Sequence, residues 1–182
     1  MKPNEPKKLI IFMDCGDTII DEGTEIRDDE GTVISGSVIP GADVAVKTLA
    51  ERGYRLAIVA DGTAQSFKNL LTSNGLIDYF ETLIYSETIK AFKPSARMFK
   101  AALGAMELTE ADIPNIIMVG NNLSRDMKGA NRLGIRSVFL RWTPRYPKTP
   151  ADESEMPSYT IDNPMDLVEL AERLNQEIAD AS

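Results

Sequence analysis

Apolar residues fall into short blocks of two kinds, and the alternation of those blocks sets out an architecture. Residues 9–13, 56–59, 80–85, 116–119, 137–140 and 159–161 are short, strand-length runs rich in apolar residues. Runs of that length and composition fit strands inside a sheet that is covered on both faces. Between them, apolar positions recur at helical spacing: Ala42, Ala45, Val46 and Leu49; Phe67, Leu70 and Leu71; Phe99, Ala102, Leu103 and Met106; Met127, Ala130 and Leu133; and Leu167, Leu170, Ala171, Leu174 and Ile178. Gly53 caps the end of the first helix and Gly75 closes the second. Pro94 stands at the entry of the third, and Asn163-Pro164 opens the last. Strands alternating with helices predict an α/β fold, a doubly wound, Rossmann-like parallel sheet with helices on both faces.

The remaining segments fill in the outline. Two short alternating runs flank Asp28-Asp29-Glu30-Gly31 and predict a small hairpin flap over residues 24–36. Residues 143–157, rich in proline and charge, read as a long surface loop, and residues 1–8 as a frayed end. With no repeat and no linker, residues 1–182 read as a single domain. Residues 18–56 hold only the hairpin and one helix, and residues 63–93 only one helix and one strand, so neither interval has room for a cap domain.

Composition narrows the chemistry. A formal charge of −8 argues against nucleic acid or an anionic membrane as a partner. The absence of a membrane-length apolar run and of a leader points to a cytoplasmic protein, and a single cysteine, Cys15, excludes an internal disulfide. There is no histidine. Catalysis by Ser-His-Asp or Cys-His arrangements and His-ligated zinc are thereby excluded. What is left is carboxylates, lysine, hydroxyls, backbone amides and a hard metal ion.

Polar groups cluster where the apolar runs end. The first run stops at Asp14-Cys15-Gly16-Asp17-Thr18 and the second leads to Asp61-Gly62-Thr63. Lys93-Pro94 follows the third, and Gly120-Asn121-Asn122 with Asp126 follows the fourth. The carboxyl edge of an open α/β sheet is where such folds bind ligands. The backbone N–H groups of Asp61 and Gly62 are placed to face an anion at a helix start; alternatively, Asp61 and Thr63 only cap that helix. Cys15 is a poor thiol nucleophile, because adjacent Asp14 disfavours the thiolate and no arginine follows it closely.

In this order, over residues 9–161, the four segments resemble the motifs of the haloacid dehalogenase superfamily. Its phosphatase members carry Asp-x-Asp-Gly-Thr at the first strand end; here Gly16 and Asp17 stand in exchanged positions. The resemblance implies a hydrolase, a phosphatase acting through an aspartyl-phosphate on Asp14, with Lys93 neutralising the nucleophile and the transferring group. Gly16 removes the usual acid/base, so proton transfer is weak or altered unless Asp17 takes it over. Ala60 replaces the hydroxyl of the second motif, leaving Asp61, Gly62, Thr63 and Lys93 for substrate binding. Mg²⁺ would be held by Asp14, the Gly16 carbonyl, Asn121 and Asp126, weakly because Asn121 brings no charge. A capless site suits a phosphorylated small molecule or a macromolecular substrate, or is closed by homo-oligomerisation. Arg141, Trp142, Arg145 and Tyr146 would emerge beside it, as a partial lid or as a packing feature. The alternative reading is a catalytically degraded domain that binds a phosphorylated ligand or protein partner in a regulatory role.

Overall fold

The structure, a computed structural model, describes residues 8–181, so the expected frayed end lies, apart from Lys8, outside the described residues. β1 (Ile10–Met13) is buried along its whole length. The two-residue period of a strand sends Ile11 and Met13 into one apolar cluster and Ile10 and Phe12 into another. The hairpin β2 (Ile26–Arg27) and β3 (Val33–Ser35) follows, then α1 (Ala42–Glu51), β4 (Arg55–Ala60), α2 (Ala64–Ser73) and β5 (Thr82–Tyr85). Next come the single turn α3 (Ser86–Ile89), α4 (Ala96–Ala105), β6 (Ile116–Gly120), α5 (Lys128–Arg132), β7 (Arg136–Leu140), β8 (Tyr159–Ile161) and α6 (Asp166–Asp180).

Six strands form one parallel sheet in the order β5-β4-β1-β6-β7-β8. Parallel neighbours cannot be joined by a tight turn, so the crossovers carry helices. Residues of α1, α2 and α6 join Leu9, Ile11, Met13, Leu56, Ile58, Ile117 and Val119 in one cluster, while α4 and α5 cover Ile10, Phe12, Ala57, Val59, Ile116 and Met118 on the other face. The crossover from β7 to β8 differs: it runs through residues 141–158 with one short helical turn, Glu153–Glu155. No cap domain interrupts the chain between β1 and α1 or between β4 and Lys93. Among the described residues, no helix is long and apolar enough to cross a membrane.

Several local expectations need correction. Gly53 (φ 78°) does close α1, and its N–H meets the Ala50 carbonyl at 2.8 Å. Pro94, however, lies outside α4; Ser95 is the N-cap, its hydroxyl accepting from the Arg97 N–H. The third strand starts only at Thr82, because Ile77–Tyr79 form a helical turn first. The last helix begins at Asp166, as Asn163 Oδ1 instead accepts from the Met165 N–H and closes a preceding turn.

Candidate active site

The strand order switches at β1: the chain runs out through β4 and β5 on one side and then crosses to β6, β7 and β8 on the other. Loops after β1, β4 and β6 therefore open a crevice at the carboxyl edge. Asp14 sits at its floor, its own N–H still bonded to the Val119 carbonyl at 2.9 Å, so the sheet holds its backbone. Lys93 reaches in from beyond α3. Its ammonium meets Asp14 Oδ1 at 2.8 Å, Asp126 Oδ1 at 2.7 Å and the Val59 carbonyl at 2.8 Å. Asp14 Oδ1 and the Val59 carbonyl accept hydrogen bonds from it, while Asp126 Oδ1 is paired with it by charge. Burial alone disfavours the charge on Lys93, but Asp126 and Asp14 outweigh it and raise its pKa above the usual value. Burial likewise pushes the Asp126 carboxyl up, to about 7, against the pull of Lys93.

Asp126 hangs from the wide turn Leu123–Met127 after β6. A Cβ on Gly120 would strike its carboxylate, 2.7 Å from Asp126 Cβ, so the close approach requires glycine there. With Oδ1 on Lys93 and Oδ2 accepting from the Asn122 N–H at 3.0 Å, Asp126 is committed to orienting Lys93. Asp126, expected among the metal ligands, thus faces Lys93 and the Asn122 N–H in this structure. Asn121 does converge with the others: with its amide nitrogen turned inward, it donates to the Gly16 carbonyl at 3.3 Å and to Asp14 Oδ2 at 3.2 Å. Turned the other way, the amide would present a third oxygen beside those two.

The residues after β4 behave differently from expectation. Of the two N–H groups expected to face an anion, those of Asp61 and Gly62, the Gly62 N–H is taken by Ser86 Oγ at 2.8 Å; further on, the Ala64 N–H is taken by Glu87 Oε2 at 2.9 Å. Thr63 makes no side-chain cap; its hydroxyl bonds Ser66 Oγ at 2.7 Å, and that oxygen accepts from the Val33 N–H at 3.0 Å. The pair ties the hairpin to α2. Asp61 Oδ1 accepts from the Lys93 backbone N–H at 2.9 Å, and burial raises its carboxyl pKa.

Asp17 is withdrawn from the chemistry. It adopts a left-handed conformation (φ 50°), is fully buried, and makes no hydrogen bond to Asp14 or Lys93. Arg145 grips it bidentately, Nε to Oδ2 at 2.7 Å and Nη2 to Oδ1 at 2.6 Å, and the Glu22 N–H donates to Oδ1 at 3.0 Å. Its role as a substitute acid/base is thus corrected to that of an anchor. Of the residues expected beside the site, Arg145 and Tyr146 reach it, whereas Arg141 pairs with Asp162 and Trp142 packs on the core.

Two residues had no role assigned from sequence. Glu22 lines a cleft of about 230 Å³ together with Gly16, Asp61, Gly62 and Thr63, and its Oε2 accepts from the Tyr146 hydroxyl at 3.1 Å. Burial, then the Asp17 charge, raise its carboxyl pKa. Arg125, half-buried, places its guanidinium 5.4 Å from the Tyr146 ring centre and 3.6 Å from Asp61 Oδ2. The acidic pair Asp21-Glu22 directly after the apolar Ile19-Ile20 was the available signal for the first, and the position of Arg125 inside the fourth motif for the second. Cys15 is wholly buried, and burial and Asp14 raise its thiol pKa, which disposes of a thiol nucleophile.

Comparison with known proteins places this geometry. The model of a family described as haloacid dehalogenase-like hydrolase matches residues 24–140, well over half of the chain. The glyceraldehyde 3-phosphate phosphatase of Methanopyrus kandleri is 27% identical over 129 residues, 71% of this chain and 54% of that protein. The chain spans about half the length of the curated relatives it matches. A HAD phosphatase from Thermococcus onnurineus shares the fold with a TM-score of 0.72 at 19% identity, over 89% of this chain and 97% of that one. The putative HAD-hydrolase YfnB of Bacillus subtilis, solved bound to magnesium, gives 0.64 at 21%, over 74% of this chain and 56% of that one. With a capless parallel sheet and a family match running from the hairpin to the end of β7, the chain belongs to the haloacid dehalogenase-like hydrolases.

Proposed function

We propose that this chain hydrolyses a small phosphate monoester with Asp14 as the nucleophile. The observation that carries this reading is the pairing of Asp14 Oδ1 with buried Lys93 at 2.8 Å, on a residue whose backbone is fixed by the central strand. A carboxylate so held keeps its attacking geometry, and the adjacent ammonium offsets charge on the incoming phosphoryl group. Asp14 attacks phosphorus, the bond to the leaving-group oxygen breaks, and an aspartyl-phosphate forms that water then cleaves. Arg125 takes over anion binding from the hydroxyl absent at Ala60, because its half-buried guanidinium lies beside Asp61, whereas that of Arg145 is committed to Asp17.

The residues present fit Mg²⁺. Asp14 Oδ2 and the Gly16 carbonyl lie 3.2 Å and 3.3 Å from the Asn121 amide, and all three groups can offer hard oxygens. Among the described residues, no group of three or more acidic or thiol side chains surrounds one point, so the ion would rest on one carboxylate and two neutral oxygens. When bound there, it would supply charge neutralisation at the phosphoryl oxygens. The relatives' names favour small phosphorylated substrates.

The test is a panel of aryl, alkyl and acyl phosphates assayed with and without Mg²⁺, beside Asp14→Asn. Turnover that disappears in Asp14→Asn supports the reading. Equal turnover in Asp14→Asn and the unaltered protein refutes it.

A further inference from the structure

The glycine at position 16 removes the carboxylate expected there, yet the space is not empty. A Cβ built on Gly16 would fall 3.0 Å from Glu22 Cδ and 3.1 Å from Glu22 Cγ, and closer still to Oε1. A carboxylate oxygen of Glu22 therefore occupies the start of the path that a side chain on residue 16 would follow. We propose that Glu22 is the general acid/base of this enzyme, delivering from the loop after β1 the carboxyl group that residue 16 lacks. The proposal rests on the phosphatase reading above.

The surroundings hold Glu22 in that place from three sides. Its backbone N–H donates to Asp17 Oδ1 at 3.0 Å. The same Asp17 carboxylate binds Arg145, which also pairs with Asp21. The neighbour of Arg145, Tyr146, donates its hydroxyl to Glu22 Oε2 at 3.1 Å and leaves Oε1 turned toward Gly16. The exchange of Gly and Asp along the chain is then one device with two halves. Glycine at 16 makes room for the glutamate, and aspartate at 17 is a positioning residue that fastens the loop carrying it. Glu22 also lines a cleft shared with Gly16 and Asp61.

The proton traffic balances. As Asp14 attacks, the phosphorus–oxygen bond to the leaving group breaks, its electron pair stays on that oxygen, and the oxygen takes the proton of the Glu22 carboxyl. The alcohol departs. The Glu22 carboxylate next takes a proton from water as the water oxygen bonds to phosphorus. The phosphorus–oxygen bond to Asp14 breaks, inorganic phosphate leaves, and Asp14 is a carboxylate again with Glu22 reprotonated.

The experiment compares kcat/KM for an aryl and an alkyl phosphate in the unaltered protein, Glu22→Gln, Glu22→Ala, Gly16→Asp and Gly16→Asp/Glu22→Ala, with the aspartyl-phosphate trapped from acetyl phosphate by mass spectrometry. Loss of a positioned acid typically costs about 10²- to 10⁴-fold. Glu22→Gln should lose that much on the alkyl ester, which needs a protonated leaving group, and roughly tenfold or less on the aryl ester. Its acetyl-phosphate adduct on Asp14 should persist longer. A purely structural role for Glu22 would lower both esters alike. In the double variant the aspartate enters the space that Glu22 vacates, and alkyl turnover should rise at least about tenfold over Glu22→Ala. An alkyl-to-aryl ratio unchanged in Glu22→Gln, in a protein whose turnover still depends on Asp14, overturns this proposal alone. An unaltered protein with no Asp14-dependent turnover and no adduct overturns both readings.

Discussion

Replacing Lys93 with methionine tests how the crevice is held together. The ammonium contacts Asp126 at 2.7 Å, Asp14 at 2.8 Å and the Val59 carbonyl at 2.8 Å, and the side chains of Lys93, Asp126 and Asp14 are 2%, 0% and 14% exposed. Methionine keeps the bulk and removes the charge, stranding one fully buried carboxylate. Breaking a buried pair from one side costs about 3–5 kcal/mol, against a total stability of about 5–15 kcal/mol for a domain. Lys93→Met should therefore lose about 3–5 kcal/mol, and Lys93→Met/Asp126→Asn should regain about 1–3 kcal/mol by removing the stranded charge. The dependence on pH carries its own sign. Burial raises Asp126 to about 7 in the folded protein even with Lys93 present, and without the cation it rises further. A folded-state pKa above the unfolded one adds stability below the unfolded value and loses it as pH climbs through the folded value. The penalty of Lys93→Met should thus be smallest near pH 4–5 and largest at pH 8. Urea titrations followed by circular dichroism and Trp142 fluorescence measure it. An equal penalty at both pH values, with no recovery in the double variant, would show that the stranded carboxylate is not what costs.

Further outcomes follow from other contacts. Arg145→Ala frees the buried Asp17 and should lower the urea stability by about 1–3 kcal/mol, discounted for the 38% exposure of the Arg145 side chain. Arg145→Lys should recover less than half, since an ammonium cannot reproduce the fork; full recovery counts against the bidentate anchor. Asn121→Asp sets a second carboxylate beside Asp14 Oδ2, so it should melt lower without metal and gain more from added Mg²⁺ than the unaltered protein. An identical Mg²⁺ response in both removes Asn121 from the ion's shell. Cys15 should stay unreactive toward a thiol reagent until the chain is unfolded, and rapid native labelling would contradict its burial.

The sheet was legible because interior parallel strands are written as unbroken apolar runs; Asp14 and Asn121 were legible because they follow such runs, and Lys93 because its Lys-Pro pair resembles the third motif. Helix starts were less so: Ser95 rather than Pro94 caps α4, a choice made by one hydroxyl. Asp17 could not be read, since letters do not say which way a left-handed residue aims its side chain. Glu22 was hidden for another reason. Tyr146, which holds it, stands 124 residues away along the chain. The occupied N–H groups of Gly62 and Ala64 were equally invisible, because their acceptors Ser86 and Glu87 come from α3, a turn too short to leave a periodic signature.

The crossover between β7 and β8 lacks the helix that covers the others, and it carries Arg145 and Tyr146. Segments with few packed apolar residues open at a smaller free energy than the sheet they adorn. Warming or dilute denaturant should therefore release this clasp while Asp14, Lys93 and Asp126 remain fixed. On the roles proposed for Asp14 and Glu22, the protein would then pass through a folded but blunted form, still able to take a phosphoryl group from a good leaving group and poor at every other ester. Its working range would be set by fifteen or so loop residues rather than by its core.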